Sequence, residues 1–556
     1  MLWRTQARAL RALHLNPIRT RAAKLLATTV AAGTLLYYSP RRQIHNDAAV
    51  PALNNAKTST SPFTEVASQT GLSTLVWGSN RSNVLSLGVP PEEVIRTPTI
   101  AKWLDNVALR DLVFHRKHAA CVDARGDVYQ WGDEFFGDSA SQCPKPKQTL
   151  KGKNIKKIQL TESKLYALSH SGQLYVLSSV MSEQLLPETP VPASSPWWRA
   201  QWFNGGSDSV DFAEVVPKEK LIRGERITSI TTGINHLLAI TNKGRTFVHP
   251  IDKKANQYGQ LGMRSVQVQH VSGSKNAGLV DVDMAPKSFA EQTGSIADDR
   301  SIRFCPYLFE LPVLKEIQIE QVAAGGRNSF ARTKTGQVLA WGANDYGQLG
   351  LGSRVTLDVI VVPTEVNFWR STPTNSRSKC IDISVGGDLT SFTVERTNES
   401  QTPSVDLLMC GNGQWGGLGN NAYSTAQGMP VKARNVSGLV EYNDAGKLQP
   451  ITPHSIAVSP SGHVLLTLET TREGLEVGGR DLVVWGKNMD GELGTGKKSG
   501  VAAPTTLEGS DGERVMLRKR KAEVRDMEGR VWGREVSVEQ RACVGIGSSS
   551  VYWRVD

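Results

Sequence analysis

Two glycine-rich stretches carry the spacing of phosphate-binding loops. Gly411-Asn412-Gly413-Gln414-Trp415-Gly416 satisfies G-x-G-x-x-G, whose glycines bring backbone close to a pyrophosphate. Gly491–Lys497 carries most of G-x-x-x-x-G-K, in which amides cradle phosphates and a lysine neutralises them. Both lack the context that chemistry needs. The first does not open a helix in a βαβ unit, and Lys498 stands where Ser or Thr must reach a magnesium ion. Among the ten histidines, His115 and His118 form the close pair, a spacing open to metal binding but also to two unrelated imidazoles. The six cysteines (Cys121, Cys143, Cys305, Cys380, Cys410 and Cys543) contain no C-x-x-C and read as reduced packing residues. The sequence singles out no Ser/His/Asp set and no carboxylate pair. It therefore implies no catalytic residue, no cofactor and no metal.

The same glycines recur, and that recurrence is the stronger signal. In the stretch from Val322 to Gly352, Ser329–Thr333 and Gln337–Trp341 read as strands joined by Lys334-Thr335-Gly336, and Gly342–Gly352 reads as a loop. Such a hairpin is marginal alone, because two strands bury too little surface. Leu482–Gly486 repeats the Trp-Gly strand, with Gly491, Leu493, Gly494 and Gly496 in register with Gly347, Leu349, Gly350 and Gly352. Further copies run through Leu407–Gly411, Asp127–Gly132 and Leu75–Gly78, and two weaker ones through Gly172–Leu177 and Gly244–His249. The tryptophan-equivalent positions are Trp77, Trp131, Leu177, His249, Trp341, Cys410 and Trp485, which makes seven units. The first unit lacks its opening half, while Ala542–Trp553 supplies an opening half with no Trp-Gly strand after it. Joining the two predicts an all-β fold over residues 71–556, a seven-bladed β-propeller closed by its N- and C-terminal strands. Closure removes the exposed edges that template aggregation.

The pattern G-G-x-x-S … G-x-V-x-x-W-G-x-N-x-x-G-Q-L-G-x-G resembles the regulator of chromosome condensation repeat. The resemblance runs from about Leu72 to Asp556. It implies a propeller more securely than any one activity, since members include a chromatin-bound exchange factor for a small GTPase, scaffolds and mitochondrial proteins.

Upstream, residues 1–42 hold eight basic side chains and no acidic one, so residues 1–24 read as a mitochondrial transit peptide. Removing those charges lowers the formal net charge from +11 to about +3 (11 − 8), which weakens a nucleic-acid reading. Residues 25–40 are uncharged and end near Tyr37-Tyr38. They read as a transmembrane anchor or as a helix lost with the leader, so a helical targeting or anchor segment precedes the propeller. Residues 46–70 read as a linker.

Insertions are expected at about 181–220, 263–301 and 511–541. The first carries Trp197, Trp198, Trp202 and Phe203, a candidate partner-binding anchor or else a cover for the blades that lost their Trp-Gly. The second reads as a long loop. The third, with the basic run Arg518–Lys521, reads as a solvated insertion in the last blade.

Similarity to fungal mitochondrial members of the family implies a non-catalytic scaffold or assembly factor at the inner membrane. A respiratory complex, notably complex III, is its expected client, and nucleic acid is not an expected partner. A nucleotide-exchange factor for a mitochondrial GTPase is the alternative, and ribosomal RNA binding in mitoribosome assembly is a second.

Overall fold

The computed structural model describes residues 71–556, apart from 88–92, 138–144, 186–209, 264, 270–278, 284–297, 369–375, 399–400, 444, 470–479 and 510–513. The expected transit peptide, anchor and linker lie outside the described residues. No helix among the described residues is long and apolar enough to cross a membrane.

The motif-bearing stretch folds as an antiparallel meander of Ile319–Ala324, Asn328–Thr333, Val338–Ala343 and Val359–Glu365. We call this blade 5. Its second strand is buried along its whole length, because neighbouring blades cover both faces; the fourth strand is largely exposed. Gly336 closes the central hairpin at φ +88°, a backbone region that glycine enters without steric cost.

Among the described residues the pairings sort into seven four-stranded groups of this kind. The innermost strands of blades 2 to 7 are Leu109–Phe114, Ile155–Leu160, Ile227–Thr232, Ile319–Ala324, Arg377–Gly386 and Thr452–Val458. Blade 1 has Val531–Val544 innermost, then Ser548–Val555, Leu75–Ser79 and Val94–Ile100. Each innermost strand packs against the next, and Val531–Val544 packs against Leu109–Phe114, which completes the circuit. The first and last strands of the ring meet as the repeat phase requires, with Leu75, Val76, Trp77 and Gly78 antiparallel to Val551, Ser550, Ser549 and Ser548.

Two expectations need correction. The 263–301 insertion is not loop throughout: Ser265–Gln269 pairs with Leu279–Asp283. Val266 and Val268 are buried in the cluster that holds Phe304 and Trp341, so apolar alternation overrides the polar composition around it. The 511–541 insertion is only in part a solvated addition to the last blade: Met516–Leu517 pairs with Arg480–Gly486 there, and Lys519–Arg525 is largely exposed. Lys519–Arg525 pairs with Val531–Val544 and widens the closing sheet, burying Val524 and Val538 against Leu72 and Trp553. Its basic run is partly engaged, with Lys519 paired to Asp556 and Arg520 lying 4.7 Å from the centre of the Trp553 ring.

Candidate functional site

The repeat residues tie each blade to the next. Trp341 of blade 5 donates its indole N–H to the carbonyl of Gln260, in the tail loop of blade 4, at 2.9 Å. The same bond joins Trp485 to Gly417, Trp77 to Glu492 and Trp131 to Val84, each at 2.8 Å. Inside the loops, Asn80, Asn256, Asn344 and Asn488 accept the N–H of Leu85, Leu261, Leu349 and Leu493 on their side-chain oxygens. Those leucines are completely buried. The tail glycines are required by close approach: at Gly347, φ +72°, an added Cβ would lie 2.4 Å from Gly428 Cα.

A histidine strengthens two of these seams. His236 Nε2 bonds Ser329 Oγ of the following blade at 2.8 Å, and Ser329 donates to the Gln260 carbonyl at 2.8 Å. His463 and Ser549 repeat the arrangement on the Glu492 carbonyl. Burial holds His236 and His463 neutral, pushing both down to about 3. In blade 6, Cys410 stands in the tryptophan slot and its thiol donates to the Gln348 carbonyl at 3.4 Å, while Thr390, in the place of Ser329, donates to the same carbonyl at 2.8 Å.

This geometry explains why the weak copies cluster. A tryptophan caps the loop of the blade before it, so a lost loop and a lost tryptophan fall in consecutive units. Blade 2 replaces its tail with the short helix Asp133–Phe136, and blade 3 places Leu177 in the slot. Blade 3 replaces its own tail with the turn Met181–Gln184, and blade 4 places His249 in the slot.

Other groups hold the seam between blades 3 and 4. Lys164, at the position of His118 and His236, sends Nζ to the carbonyls of Ile251 at 2.6 Å and Asp299 at 2.9 Å. Burial lowers its ammonium to about 8. His249 bonds the Tyr166 hydroxyl and the Tyr307 carbonyl, and the outer strands join in parallel, Val216 against Tyr307 and Pro217 against Leu308.

The partner-binding candidates Trp197, Trp198, Trp202 and Phe203 lie outside the described residues. The insertion that carries them leaves from this altered seam and returns at Ala213–Pro217 as the fourth strand of blade 3. The glycines of the two phosphate-like motifs serve the propeller: Gly411 and Gly413 end a strand, and Gly494 seats against the Trp77 indole. Cys121, Cys305, Cys380 and Cys410 are buried and Cys543 half-buried, all as free thiols, while Cys143 lies outside the described residues. Burial raises the thiols of Cys305 and Cys380 to about 12.

Sequence reading missed a polar belt on the innermost strands. Asp111, Lys157, Ser229, Gln321 and Asp382 each follow a register shift at one shared height of the ladder. Several link neighbouring blades: Ile158 N–H donates to Asp111, Lys157 Nζ to Ser229 and Gln321 Nε2 to Asp382. Beside Asp111 and Lys157 a cavity of about 490 Å³ is rimmed by Arg110, Lys156, His170 and Arg554. The signal was present as a polar residue two places after a buried apolar one (Leu109, Ile155, Ile227, Ile319 and Cys380), visible once the blades are aligned. His115, His118 and Glu134 do come together, with His118 Nδ1 3.3 Å from Glu134 Oε2 and the two imidazole rings 4.8 Å apart.

A ring of meanders stitched by Trp-Gly strands and glycine loops defines a repeat propeller, and the repeats are of a known kind. A Regulator of chromosome condensation (RCC1) repeat profile matches residues 335–392 and a second RCC1 repeat profile matches 319–348, so residues 319–392 are similar to RCC1 repeats. It is 25% identical over 396 residues to the mitochondrial protein FMP25 of Saccharomyces cerevisiae, covering 68% of this chain and 56% of that one. It is 24% identical over 336 residues to pim1 of Schizosaccharomyces pombe, covering 54% and 60%. The mitochondrial RCC1 domain-containing protein RUG3 of Arabidopsis thaliana is 22% identical over 392 residues, covering 69% and 70%. The chain thus spans little more than half the length of the first two of these relatives. Prp20p of Saccharomyces cerevisiae, studied for its binding to Gsp1p and histones, superposes with a TM-score of 0.54 at 14% identity, over 89% of this chain and 95% of that one. Human WBSCR16 superposes at 0.50 and 15% identity, over 87% and 99%.

Proposed function

We propose that this protein is a non-catalytic mitochondrial propeller that binds protein partners at the inner membrane and assists assembly of a respiratory complex, complex III by resemblance. The observation that carries the reading is the match to a mitochondrial RCC1-repeat protein over two thirds of the chain, joined to the arginine-rich, acid-free leader. A rigid ring suits the role because its blades hold variable insertions in place and reduce the ordering cost of binding. The altered seam between blades 3 and 4, with its aromatic insertion, is the surface we assign to the partner.

The exchange-factor alternative draws on a partial likeness to a bovine secretion-regulating guanine nucleotide exchange factor, 22% identical over 316 residues. Affinity purification from mitochondria combined with carbonate extraction separates the readings. Recovery of complex III subunits with the carbonate-resistant pellet supports the assembly role. Recovery of a GTPase or of ribosomal proteins from the soluble fraction overturns it.

A further inference from the structure

Three residues of blade 2 have left the tasks that their positions perform elsewhere in the ring. His118 occupies the slot of His236 and His463, whose Nε2 atoms bond Ser329 and Ser549 of the following blade. In blade 3 that serine is replaced by the buried Leu165, and His118 Nε2 has no hydrogen-bond partner. His115 occupies a position that is glycine in blades 1, 4, 5 and 6 (Gly545, Gly233, Gly325 and Gly386). At Gly233 an added Cβ would lie 2.4 Å from the His236 ring and 2.2 Å from the Gly325 carbonyl, so a side chain there needs rearranged surroundings. In blade 2 that side chain is an imidazole packed against His118, with Nδ1 buried and unpartnered. Glu134 stands where Asn80, Asn344 and Asn488 organise the loops of blades 1, 5 and 7. Instead of a leucine N–H, its carboxylate meets His118.

We infer that His115, His118 and Glu134 form a binding site for a divalent transition-metal ion, zinc by the chemistry of the ligands. One potential ligand atom from each residue lies within 4.8 Å of the others. Zinc holds imidazole nitrogen and carboxylate oxygen at about 2.0–2.2 Å, which places tetrahedral ligands roughly 3.3–3.5 Å apart. Closing the set is therefore a small movement. His118 Nδ1 and Glu134 Oε2 are already at 3.3 Å, and the Glu134 side chain is 26% exposed and free to adjust at the rim. Two imidazoles and one carboxylate favour zinc or its late first-row neighbours over calcium or magnesium, which prefer oxygen. Three protein ligands leave one coordination position for water or for a side chain of a docked partner.

The test uses the full chain without a polyhistidine tag, stripped with chelator and titrated with Zn²⁺ against a chromophoric competitor. The expected result is one zinc equivalent retained through gel filtration. His115→Ala and Glu134→Gln should each weaken binding on the order of 100-fold, at or above the loss typical for a disturbed metal shell. Melting of both variants in chelator should match the unsubstituted chain, which separates lost ligation from lost folding. Cobalt substitution of the unsubstituted chain gives a readout that needs no variant, with visible bands of low coordination number and no thiolate charge transfer. Retention of no zinc, unchanged binding in the two variants, or a thiolate band overturns the site.

Discussion

The carbonyl of Gln260 accepts two donors from the next blade, Ser329 Oγ at 2.8 Å and Trp341 Nε1 at 2.9 Å. Ser329, Gln260 and Trp341 are all completely buried, so water cannot replace a lost donor. Ser329→Ala or Trp341→Phe alone leaves the carbonyl one partner. Each loses a net bond of about 1 kcal/mol to this carbonyl. Ser329→Ala also removes the partner of His236 Nε2, a loss common to the single and double variants, and the tryptophan change adds a packing term of ~1–2 kcal/mol for the smaller ring. The double variant orphans the carbonyl and incurs the desolvation penalty of a buried, unmade bond, about 1–3 kcal/mol. The two substitutions should therefore be worse together than their sum by ~1–2 kcal/mol. Denaturant unfolding of the four proteins measures the coupling. Ser549 and Trp77 on the Glu492 carbonyl provide an independent second cycle at the seam between blades 7 and 1. Additivity within about 0.5 kcal/mol at both seams, the behaviour of independent sites, would refute the shared-acceptor account.

Acid should loosen the ring before the carboxylates titrate. His236 and His463 sit at about 3 and His249 at about 4 in the folded protein, each lowered chiefly by burial, against ~6.5 when unfolded. Between those values the unfolded chain binds protons that the folded chain refuses, so stability is lost as pH falls from about 6.5 toward 4. The loss is about 2 kcal/mol per histidine at pH 5. Melting curves across that range check it, and His463→Gln should flatten the slope. Gly347→Ala should destabilise by about 2 kcal/mol or more, since it meets both the left-handed backbone at φ +72° and the Gly428 backbone 2.4 Å away; thermal melting measures it.

Period and phase were the legible part of the fold. Trp77, Trp341 and Trp485 with their glycine tails gave the unit. The mismatch between the opening and final segments gave the pairing of Leu75–Gly78 with Ser548–Val551. What stayed hidden depends on contacts between units. Lys164 reads as a surface lysine until its slot is aligned with those of His118 and His236. Glu134 reads as an exposed acid until blade 2 replaces the loop-organising asparagine. The hairpin at Ser265–Gln269 was masked by polar neighbours, although Val266 and Val268 carry the alternation of a strand. Composition made 511–541 look solvated, whereas Val524 and Val538 supply an apolar face to the closing sheet.

The account stands on the union of the first and last strands of the ring. Leu75 and Val551 are cross-strand partners in an antiparallel pair, a separation that a disulfide spans without backbone movement. Leu75→Cys with Val551→Cys, oxidised in the folded chain and mapped by peptide mass, should give one crosslinked peptide joining the two ends. Recovery of both cysteines as free thiols, from a chain that still unfolds cooperatively, would contradict closure.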